Sequence, residues 1–377
     1  MILKGDNMKV VITGGGTGGH IYPAVAIIEE LKKRDENIEI LYIGSKNSME
    51  SELIPSLNID YKSIEVMGLP RKINLKLFKS VFVLLKGLSQ AKKILKEFKP
   101  DVVIGTGGFV TGPVLYKAHK LGIYTIFHEQ NSYPGITNRI LSKYVDAMAV
   151  TFKESIKFFK NNEKCVVTGN PIRNRFEVLD RESSLEFFGL DKNTKNIFSF
   201  GGSNGSEELN KAVIGILDKF NNNEKISLIH VTGKKNYDKF IEEVNKREIK
   251  IGKNVRILPY MIEMDKAYGA SDLVITSSGA ITLAEISKIG LASILIPKAY
   301  TTENHQEYNA RAYKDIGASE LILEKDLNSD LLWENIEKIV FDNNKLEQMK
   351  ENAKKFATPN AVSDFVSIFY DKFKGRR

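Results

Sequence analysis

Short apolar runs alternate along the chain with longer segments whose apolar residues recur three and four positions apart. The first run is KVVIT at residues 9–13. The segment behind it carries apolar residues at helical spacing, namely Ala24, Ile27, Ile28 and Leu31. Further runs lie at residues 38–44, 102–108, 123–129 and 146–150. This alternation predicts βαβ units and a parallel sheet.

The pattern starts again after GNPIR at residues 169–173. Five more apolar runs follow, at residues 197–205, 227–233, 255–260, 272–279 and 292–297. Three helical segments close the chain, and Pro359 stands before the last of them. We therefore predict an α/β protein with two doubly wound domains, residues 1–171 and 172–357, and a C-terminal helix within residues 358–377.

Length and composition agree with two domains, because 377 residues exceed the usual size of a single hydrophobic core. The single cysteine, Cys165, excludes an internal disulfide framework and suits a reducing cytosol. No apolar run approaches the ~18 residues of a membrane-spanning helix. We expect a cytoplasmic protein. The net charge is +8, and the segment 71–99 alone carries nine basic residues and one acid.

Three glycine-rich turns follow apolar runs, at residues 14–19, 105–108 and 201–205. Glycine lets a backbone approach a phosphate or sugar closely, although any one of these turns could simply join a strand to a helix. Three together favour a ligand site. NAD binding is disfavoured because the second run ends at residues 43–45 without the expected acid, and no P-loop motif is present.

His20 closes the first glycine turn, where an imidazole can act as a general base for a hydroxyl nucleophile. The alternative is a histidine that caps or packs. His128 and His305 lie near other predicted loops, whereas His119 and His230 are predicted to be structural. None of the five histidines has the spacing of a zinc site, so we expect no metal.

A second candidate lies in SSGAITLAE at residues 277–285, which runs from a strand end into a helix. The free N–H groups and dipole of that helix would attract a diphosphate. Glu285 lies just over one turn inside the helix, where its carboxylate could hold sugar hydroxyls. The alternative is an ordinary solvated carboxylate.

Seven motifs together resemble the MurG family, the bacterial peptidoglycan N-acetylglucosaminyltransferases. They are GGGTGGHIYPA, GTGGFVTGP, HEQNSYPGITNRIL, GNPIR, GGSNG, SSGAITLAE and ENHQEYNA, in that order. The resemblance implies a GT-B fold, in which two Rossmann-like domains face a cleft and the last helix returns to the first domain. It also implies inverting transfer of GlcNAc from UDP-GlcNAc to the C4 hydroxyl of the MurNAc-pentapeptide of undecaprenyl-linked lipid I. The product would be lipid II, for peptidoglycan synthesis, and no metal or other cofactor is expected.

The resemblance also implies roles for individual residues. His20 would be the general base. The donor-binding positions would be Thr17, Gly18, Gly19, Asn131, Arg173, Ser203, Met261, Ala280, Ile281, Thr282, Leu283, Ala284, Glu285 and Gln306. Among them Glu285 would hold the ribose hydroxyls, and the backbone at Met261 would read uracil. Two positions depart from the family pattern, since Ser277 stands where arginine is frequent and Asn204 replaces a glutamine.

The basic segment 71–99 has one apolar stripe suited to the core, formed by Leu77, Val81, Leu84, Leu88, Leu95 and Phe98. A second stripe flanked by lysines remains, and we predict that it docks on an anionic membrane through Lys76, Phe78, Lys79, Phe82, Leu85 and Lys86. The alternative is a solvated, lysine-rich helix. A lipid-linked acceptor favours peripheral attachment to the cytoplasmic face of the cell membrane.

Two other function classes fit part of the pattern. A UDP-GlcNAc epimerase would share the fold and the nucleotide sugar but would not need a basic apolar patch. A nucleic-acid binder would explain the charge alone and leave the glycine turns and His20 unexplained. We therefore expect no nucleic-acid partner.

Overall fold

The computed structural model describes residues 7–68, 75–172, 179–202, 205–221, 223–300 and 304–373, and for residues 75–79 it describes the backbone only. The chain divides into two compact units. Unit 1 comprises Met1–Arg173 and Thr358–Arg377, and unit 2 comprises Asn174–Ala357.

Unit 1 is built on a seven-stranded parallel sheet. Its strands are β1 (Lys9–Gly14), β2 (Glu39–Ser45), β3 (Asp60–Ile64), β4 (Val102–Gly107), β5 (Tyr124–Glu129), β6 (Ala147–Val150) and β7 (Cys165–Val167). They lie in the order β3-β2-β1-β4-β5-β6-β7. The strand order therefore reverses between β1 and β4, which is where open α/β sheets bind ligands.

A helix follows each of the first five strands of unit 1. These are α1 (Gly18–Arg34), α2 (Met49–Ser56), α3 (Leu75–Phe98), α4 (Thr111–Lys120) and α5 (Ile136–Leu141), with 3₁₀ helices at Lys153–Phe158 and Asn162–Lys164. The inner strands β1, β4 and β5 are buried along almost their whole length. Their apolar sequences follow from this burial, because helices cover both faces of a parallel sheet.

Unit 2 repeats the plan with a six-stranded parallel sheet in the order β10-β9-β8-β11-β12-β13. Its strands are β8 (Lys195–Phe200), β9 (Ile226–Val231), β10 (Val255–Leu258), β11 (Leu273–Thr276), β12 (Ala292–Leu295) and β13 (Ser319–Leu321). The order reverses between β8 and β11, so this sheet has its own switch point at the start of the helix that follows β11.

The helices of unit 2 cover its sheet. They are α6 (Arg181–Phe188), α7 (Glu207–Ile214), α8 (Leu217–Asn221), α9 (Tyr237–Lys246), α10 (Met264–Ala270), α11 (Ala280–Ile289), α12 (His305–Asp315), α13 (Ser329–Val340) and α14 (Asn343–Lys355), with a 3₁₀ helix at Glu324–Asp326. Trp333 packs edge-on against Phe220 at 5.7 Å between ring centroids. The chain's single tryptophan thus lies in the core of unit 2.

The last helix, α15 (Ala361–Phe373), belongs to unit 1 and packs against α1. Phe365 and Phe369 are fully buried in the same core as Ile27. Burying each ring contributes about 1.5–3 kcal/mol. Arg34 also donates a hydrogen bond of 2.9 Å to the Ser363 carbonyl.

The predicted fold class, two parallel Rossmann-like sheets, is confirmed. The sequence pattern did not reveal β3, β7 and β13. Each is short, and β3 alternates exposed and partly buried residues, because it lies at the edge of its sheet. These three edge strands are too short, or in β3 too polar, to give the apolar run by which the inner strands and the edge strand β10 were recognised.

Helix α3 corrects one detail of the predicted core. Leu95 is fully buried, but Val81 is 43% exposed although the helical spacing assigned it to the core. Among its described side chains, the apolar ones that are fully buried are Ala91 and Leu95, in the C-terminal half of the helix. No described helix is both long and apolar enough to cross a membrane.

Candidate active site

The first glycine turn joins β1 to α1 and presents His20 on the first turn of that helix. Gly16 has a φ of +85°, a conformation that favours glycine. The Gly15 N–H donates to the Gly107 carbonyl at 3.2 Å, so the first turn is tied to the second glycine turn at the end of β4. The predicted residues Thr17, Gly18 and Gly19 therefore lie together at the switch point of unit 1, and all three are at least partly exposed.

The His20 ring lies over Gly107, which has a φ of +113°. A Cβ atom at this position would overlap the imidazole. His20 Nδ1 is 3.0 Å from the Thr106 carbonyl oxygen. Because a carbonyl can only accept, the hydrogen lies on Nδ1 and the lone pair on Nε2. The ring is half-buried and is held in the tautomer that a general base requires.

Glu50 is a functional candidate that sequence reasoning missed. It is fully buried at the start of α2 and accepts hydrogen bonds from the Gly16 N–H at 3.2 Å and from the Ser45 hydroxyl at 2.6 Å. Burial raises the pKa of Glu50, but the hydrogen bonds from Ser45 and Gly16 outweigh it and lower the pKa below its ordinary value. At neutral pH a negative charge thus lies beneath the first glycine turn. It favours sugar hydroxyls over a phosphate at that place.

The HEQN motif ends β5 with two buried titratable side chains. His128 donates from Nε2 to the Gly169 carbonyl at 2.8 Å, and burial lowers its pKa to about 4. Glu129 accepts from the backbone and side chain of Asn131, and from Asn138 at 2.8 Å. Burial raises the pKa of Glu129 despite these bonds. Asn131, predicted to bind the donor, is therefore held in place by Glu129.

In unit 2, the turn between β11 and α11 lies at the switch point of the sheet, as the first glycine turn does in unit 1. The Ser278 hydroxyl donates to the Gln306 carbonyl at 2.7 Å, and the Lys298 N–H donates to Gln306 Oε1 at 3.0 Å. Helix α11 starts behind Gly279, and among the described residues no side chain caps it. Its first N–H groups lack intrahelical partners, as in any helix. The structure thus brings the predicted Gln306 next to the predicted helix start.

Glu285 lies on the second turn of α11 and is partly exposed. Its Oε2 accepts from the Tyr268 hydroxyl at 3.0 Å, which fixes the carboxylate while leaving capacity for further donors. The Leu283 side chain is buried in the core, so only its backbone can face a ligand. The side chains at the other predicted positions of this helix are small or partly exposed, namely Ala280, Ile281, Thr282 and Ala284.

Of the three remaining predicted donor-binding residues, the structure describes Met261 but neither Ser203 nor Arg173. The Met261 side chain is buried in the core of unit 2, so only the backbone of this residue could contact a nucleobase such as uracil. Ser203 and Arg173 lie outside the described residues. Lys298, which the sequence did not single out, donates from Nζ to the Gly205 carbonyl at 2.7 Å and so brings a cation to the third glycine turn.

An apolar surface surrounds the start of α3. We call it the α3 patch and define it by its exposed side chains, Met67, Val81, Phe82, Leu85 and Phe109. Phe82 is 69% and Phe109 62% exposed. The Phe109 ring lies against Gly68, whose carbonyl accepts from Ser80 of α3 at 3.4 Å, so Phe109 lies near this part of the helix. Lys86 borders it and pairs with Glu65 at 2.7 Å. The side chains of Lys76, Phe78 and Lys79 lie outside the described residues.

The described part of the chain contains no group of three or more His, Cys, Asp or Glu side chains that could hold a metal ion. The two candidate sites offer instead an imidazole, backbone N–H groups and carboxylates. These groups suit proton transfer and the binding of a sugar nucleotide.

Two family models match the chain. The glycosyltransferase family 28 N-terminal domain matches residues 10–150, and the glycosyltransferase family 28 C-terminal domain matches residues 196–365. The first match contains His20 and Glu50, and the second contains α11. The glycine turns, His20 and Glu285 thus all lie within glycosyltransferase domains.

Relatives narrow the assignment. A protein of Finegoldia magna named "UDP-N-acetylglucosamine--N-acetylmuramyl-(pentapeptide) pyrophosphoryl-undecaprenol N-acetylglucosamine transferase" is 58% identical over 96% of this chain and 98% of its own length. A relative with the same name in Acetivibrio thermocellus is 44% identical over 98% of this chain and 99% of its own. The chain belongs to this family of N-acetylglucosamine transferases. The resemblance to the MurG family is confirmed, and the chain is a glycosyltransferase.

Solved structures agree with this family. The crystal structure of Acinetobacter baumannii MurG matches this transferase with a TM-score of 0.77 and 26% identity, over 97% of this chain and 99% of that one. A putative UDP-N-acetylglucosamine 2-epimerase of Listeria monocytogenes matches with a TM-score of 0.70 but only 13% identity, over 98% of both chains. The second likeness shows the fold alone. The predicted GT-B fold is confirmed.

Proposed function

We propose that this transferase moves GlcNAc from UDP-GlcNAc to the C4 hydroxyl of the MurNAc-pentapeptide of undecaprenyl-linked lipid I, which yields lipid II and UDP. The relatives of Finegoldia magna and Acetivibrio thermocellus, which are 58% and 44% identical over nearly the whole chain and whose name states these substrates, support the assignment. The observation that carries the chemistry is the His20 imidazole, because its Nδ1–H donates to the Thr106 carbonyl. Nε2 then has the lone pair that takes a proton.

The proposed reaction is a single inverting displacement. His20 Nε2 removes the proton of the acceptor C4 hydroxyl, and the oxygen forms a bond to the anomeric carbon of GlcNAc. The bond from that carbon to the UDP oxygen breaks, and its electron pair leaves with UDP. The diphosphate gains negative charge in the transition state, so N–H groups at the start of α11 stabilise it. No residue has to form a covalent intermediate.

The donor is assigned to unit 2. Glu285, already oriented by Tyr268, accepts hydrogen bonds from the ribose hydroxyls. The backbone at Met261 reads uracil, and Gln306 contacts the nucleotide sugar. Ser203 and Arg173 stay predictions of the sequence. UDP-GlcNAc is a substrate in this scheme, and the residues at the site supply the chemistry without a further cofactor.

The test is an assay with purified lipid I and UDP-GlcNAc. We expect UDP release that depends strictly on lipid I, with lipid II as the only sugar product. Formation of UDP-ManNAc without lipid I would favour the epimerase alternative. Release of UDP without lipid I would contradict strict transfer to that acceptor.

We further propose that this transferase attaches to the cytoplasmic face of the cell membrane through the α3 patch. Exposed apolar side chains supply about 1.5–3 kcal/mol each when they enter the interface. Each nearby lysine adds about 1 kcal/mol on an anionic surface. The proposed acceptor is held in the membrane by its lipid. An enzyme attached to the membrane surface therefore encounters it by diffusion along that surface.

Co-sedimentation with vesicles tests the attachment. We expect Phe82→Ser with Leu85→Ser to weaken binding to phosphatidylglycerol vesicles at least about tenfold. Phe187→Ser, at an exposed phenylalanine of unit 2, is the matched control and should bind as the wild type does. Charge reversal at Lys76, Lys79 and Lys86 should weaken binding to anionic vesicles only. Unchanged binding in both sets of variants would refute the attachment.

A further inference from the structure

The Thr106 carbonyl at the end of β4 accepts two side-chain hydrogen bonds. His20 Nδ1 lies 3.0 Å from its oxygen, and Gln130 Nε2 lies 2.8 Å from it. A carbonyl oxygen has two lone pairs, so these two donors fill its capacity. Gln130 is only 2% exposed, and its role toward His20 was not apparent from the sequence.

The surrounding acceptors determine which way the Gln130 amide points. Its nitrogen also lies 3.3 Å from the His128 carbonyl and 3.2 Å from His128 Nδ1. His128 Nε2 lies 2.8 Å from the Gly169 carbonyl and must carry the hydrogen there, which leaves the lone pair on Nδ1. Burial lowers the pKa of His128 to about 4, so this acceptor persists at neutral pH. Every contact of the amide nitrogen is thus with an acceptor.

We propose that Gln130 is a positioning residue for His20. It holds the Thr106 carbonyl in the orientation that keeps the hydrogen of His20 on Nδ1. The inference rests on the proposed function, in which His20 is the general base. A buried chain of hydrogen bonds then runs from the Gly169 backbone through His128 and Gln130 to the Thr106 carbonyl and His20.

Loss of the Gln130 amide would have two effects. The Thr106 carbonyl would lose one of its two restraints, and the imidazole that depends on it would be less well oriented. With a single donor left, the carbonyl would also accept more strongly from the imidazolium form of His20. The apparent pKa of the base should therefore rise. A side chain with a merely structural role would change stability without moving that pKa.

The other titratable groups around this turn stay in place in the test. Glu50 approaches it from α2, and His128 and Glu129 lie at the end of β5. Of these groups only His128 contacts the Gln130 amide, at 3.2 Å, and it would lose that contact. A shift in the pH profile is therefore assigned to the Thr106 carbonyl and His20 only if it is absent in the His20→Ala background.

The experiment is a double-mutant cycle with Gln130→Met and His20→Ala in the lipid I assay. We expect Gln130→Met to lower kcat about tenfold, as for the loss of one oriented hydrogen bond. KM for UDP-GlcNAc should stay within about twofold, since the donor is assigned to unit 2. The acidic limb of the kcat/KM profile should move to higher pH. In the His20→Ala background, Gln130→Met should change kcat less than about twofold.

Gln90→Met is the matched control, because Gln90 is another glutamine of unit 1 whose side chain bonds to the backbone: its Oε1 accepts from the Glu65 N–H at 2.8 Å. It should leave both kcat and the pH profile unchanged. If Gln130→Met does not fold, Gln130→Leu removes the same amide donor and should give the same loss of kcat and the same shift of the acidic limb. Losses that add in the double mutant, or an unmoved acidic limb, would overturn the role of Gln130. Near-full activity of His20→Ala alone would instead overturn the proposed base.

Discussion

The carboxyl edges of the two sheets share one plan but differ in the charged side chain that reaches a glycine turn. In unit 1, a buried carboxylate, that of Glu50, accepts from the Gly16 N–H in the first glycine turn. In unit 2, the Lys298 ammonium donates to the Gly205 carbonyl in the third turn, and α11 starts without a side-chain cap among the described residues. This difference supports the proposed assignment of the general base to unit 1 and of the donor to unit 2. Unit 1 suits hydroxyl and proton chemistry, whereas unit 2 suits a diphosphate.

The three glycine-rich turns are similar in sequence but differ in their contacts. All three follow a strand of a parallel sheet, and each contains a glycine with positive φ, for example Gly16, Gly107 and Gly202. Gly107 has no side chain because the His20 ring occupies that space. The turns thus resemble one another in sequence, yet they serve different contacts. The charged side chains that reach the first and third turns from elsewhere, Glu50 and Lys298, are opposite in sign.

The largest effect that would sharpen the comparison is expected at His20. His20→Ala should lower kcat by about 10²–10⁴, the usual contribution of a general base, while the Kd for UDP stays unchanged. Lipid I turnover and calorimetric titration with UDP measure the two quantities. His119→Ala, at a histidine on α4 of the same unit, is the control. A loss of UDP affinity in His20→Ala would break the assignment of base and donor to different units.

The next effect is expected in unit 2. Glu285→Gln should weaken uridine and UDP alike by about ten- to a hundredfold, because hydrogen bonds to a charged group are worth roughly 1.5–3 kcal/mol. Calorimetric titration with uridine and with UDP checks this. Tyr268→Phe removes only the hydroxyl that orients Glu285 and should have a smaller effect. Unchanged uridine binding in Glu285→Gln would contradict the donor site itself.

A buried neutral histidine should make unit 2 sensitive to acid. Burial lowers the pKa of His230 to about 3, against 6.5 ordinarily. The unfolded chain then binds a proton below about pH 6.5 that the folded chain does not, so stability falls as the pH is lowered. Between pH 7 and 5 the loss should be about 2 kcal/mol. Urea unfolding followed by Trp333 fluorescence reports on unit 2 alone. Between pH 7 and 5, His230→Gln should lose about 2 kcal/mol less stability than the wild type does. An equal loss in the two proteins would contradict the prediction.

The smallest effect is expected at Glu50. Glu50→Gln should cost on the order of 1 kcal/mol at pH 7, because the charge that the Ser45 and Gly16 donors stabilise is removed. The pKa of Glu50 is lowered, so its contribution is present above the ordinary glutamate pKa of 4.5 and disappears as the pH falls below it. Hydrogen exchange should show weaker protection of the first glycine turn. Protection equal to the wild type would contradict the role of Glu50.

Part of the site was predictable because it follows strands of the sheet. Turns that follow parallel strands lie at one edge, so His20, the second glycine turn and the start of α11 were predicted from local pattern alone. Glu50, Gln130 and Lys298 were not. Each reaches its turn from another segment, as Gln130 does from β5 to the Thr106 carbonyl. Spacing along the chain does not reveal such contacts, although an acid five residues beyond the end of β2 was a signal for Glu50.

The sequence by itself determined the two parallel sheets, the family and the chemistry-bearing turns, because apolar periodicity and glycine placement are local properties. Only the tertiary structure decided the tautomer of His20, the charge beneath the first turn and the exposure of Val81. These depend on a carbonyl, a carboxylate and a packing partner that are distant in the chain. Only the folded chain brings the Thr106 carbonyl within hydrogen-bond distance of His20, and that carbonyl determines which ring nitrogen carries the hydrogen.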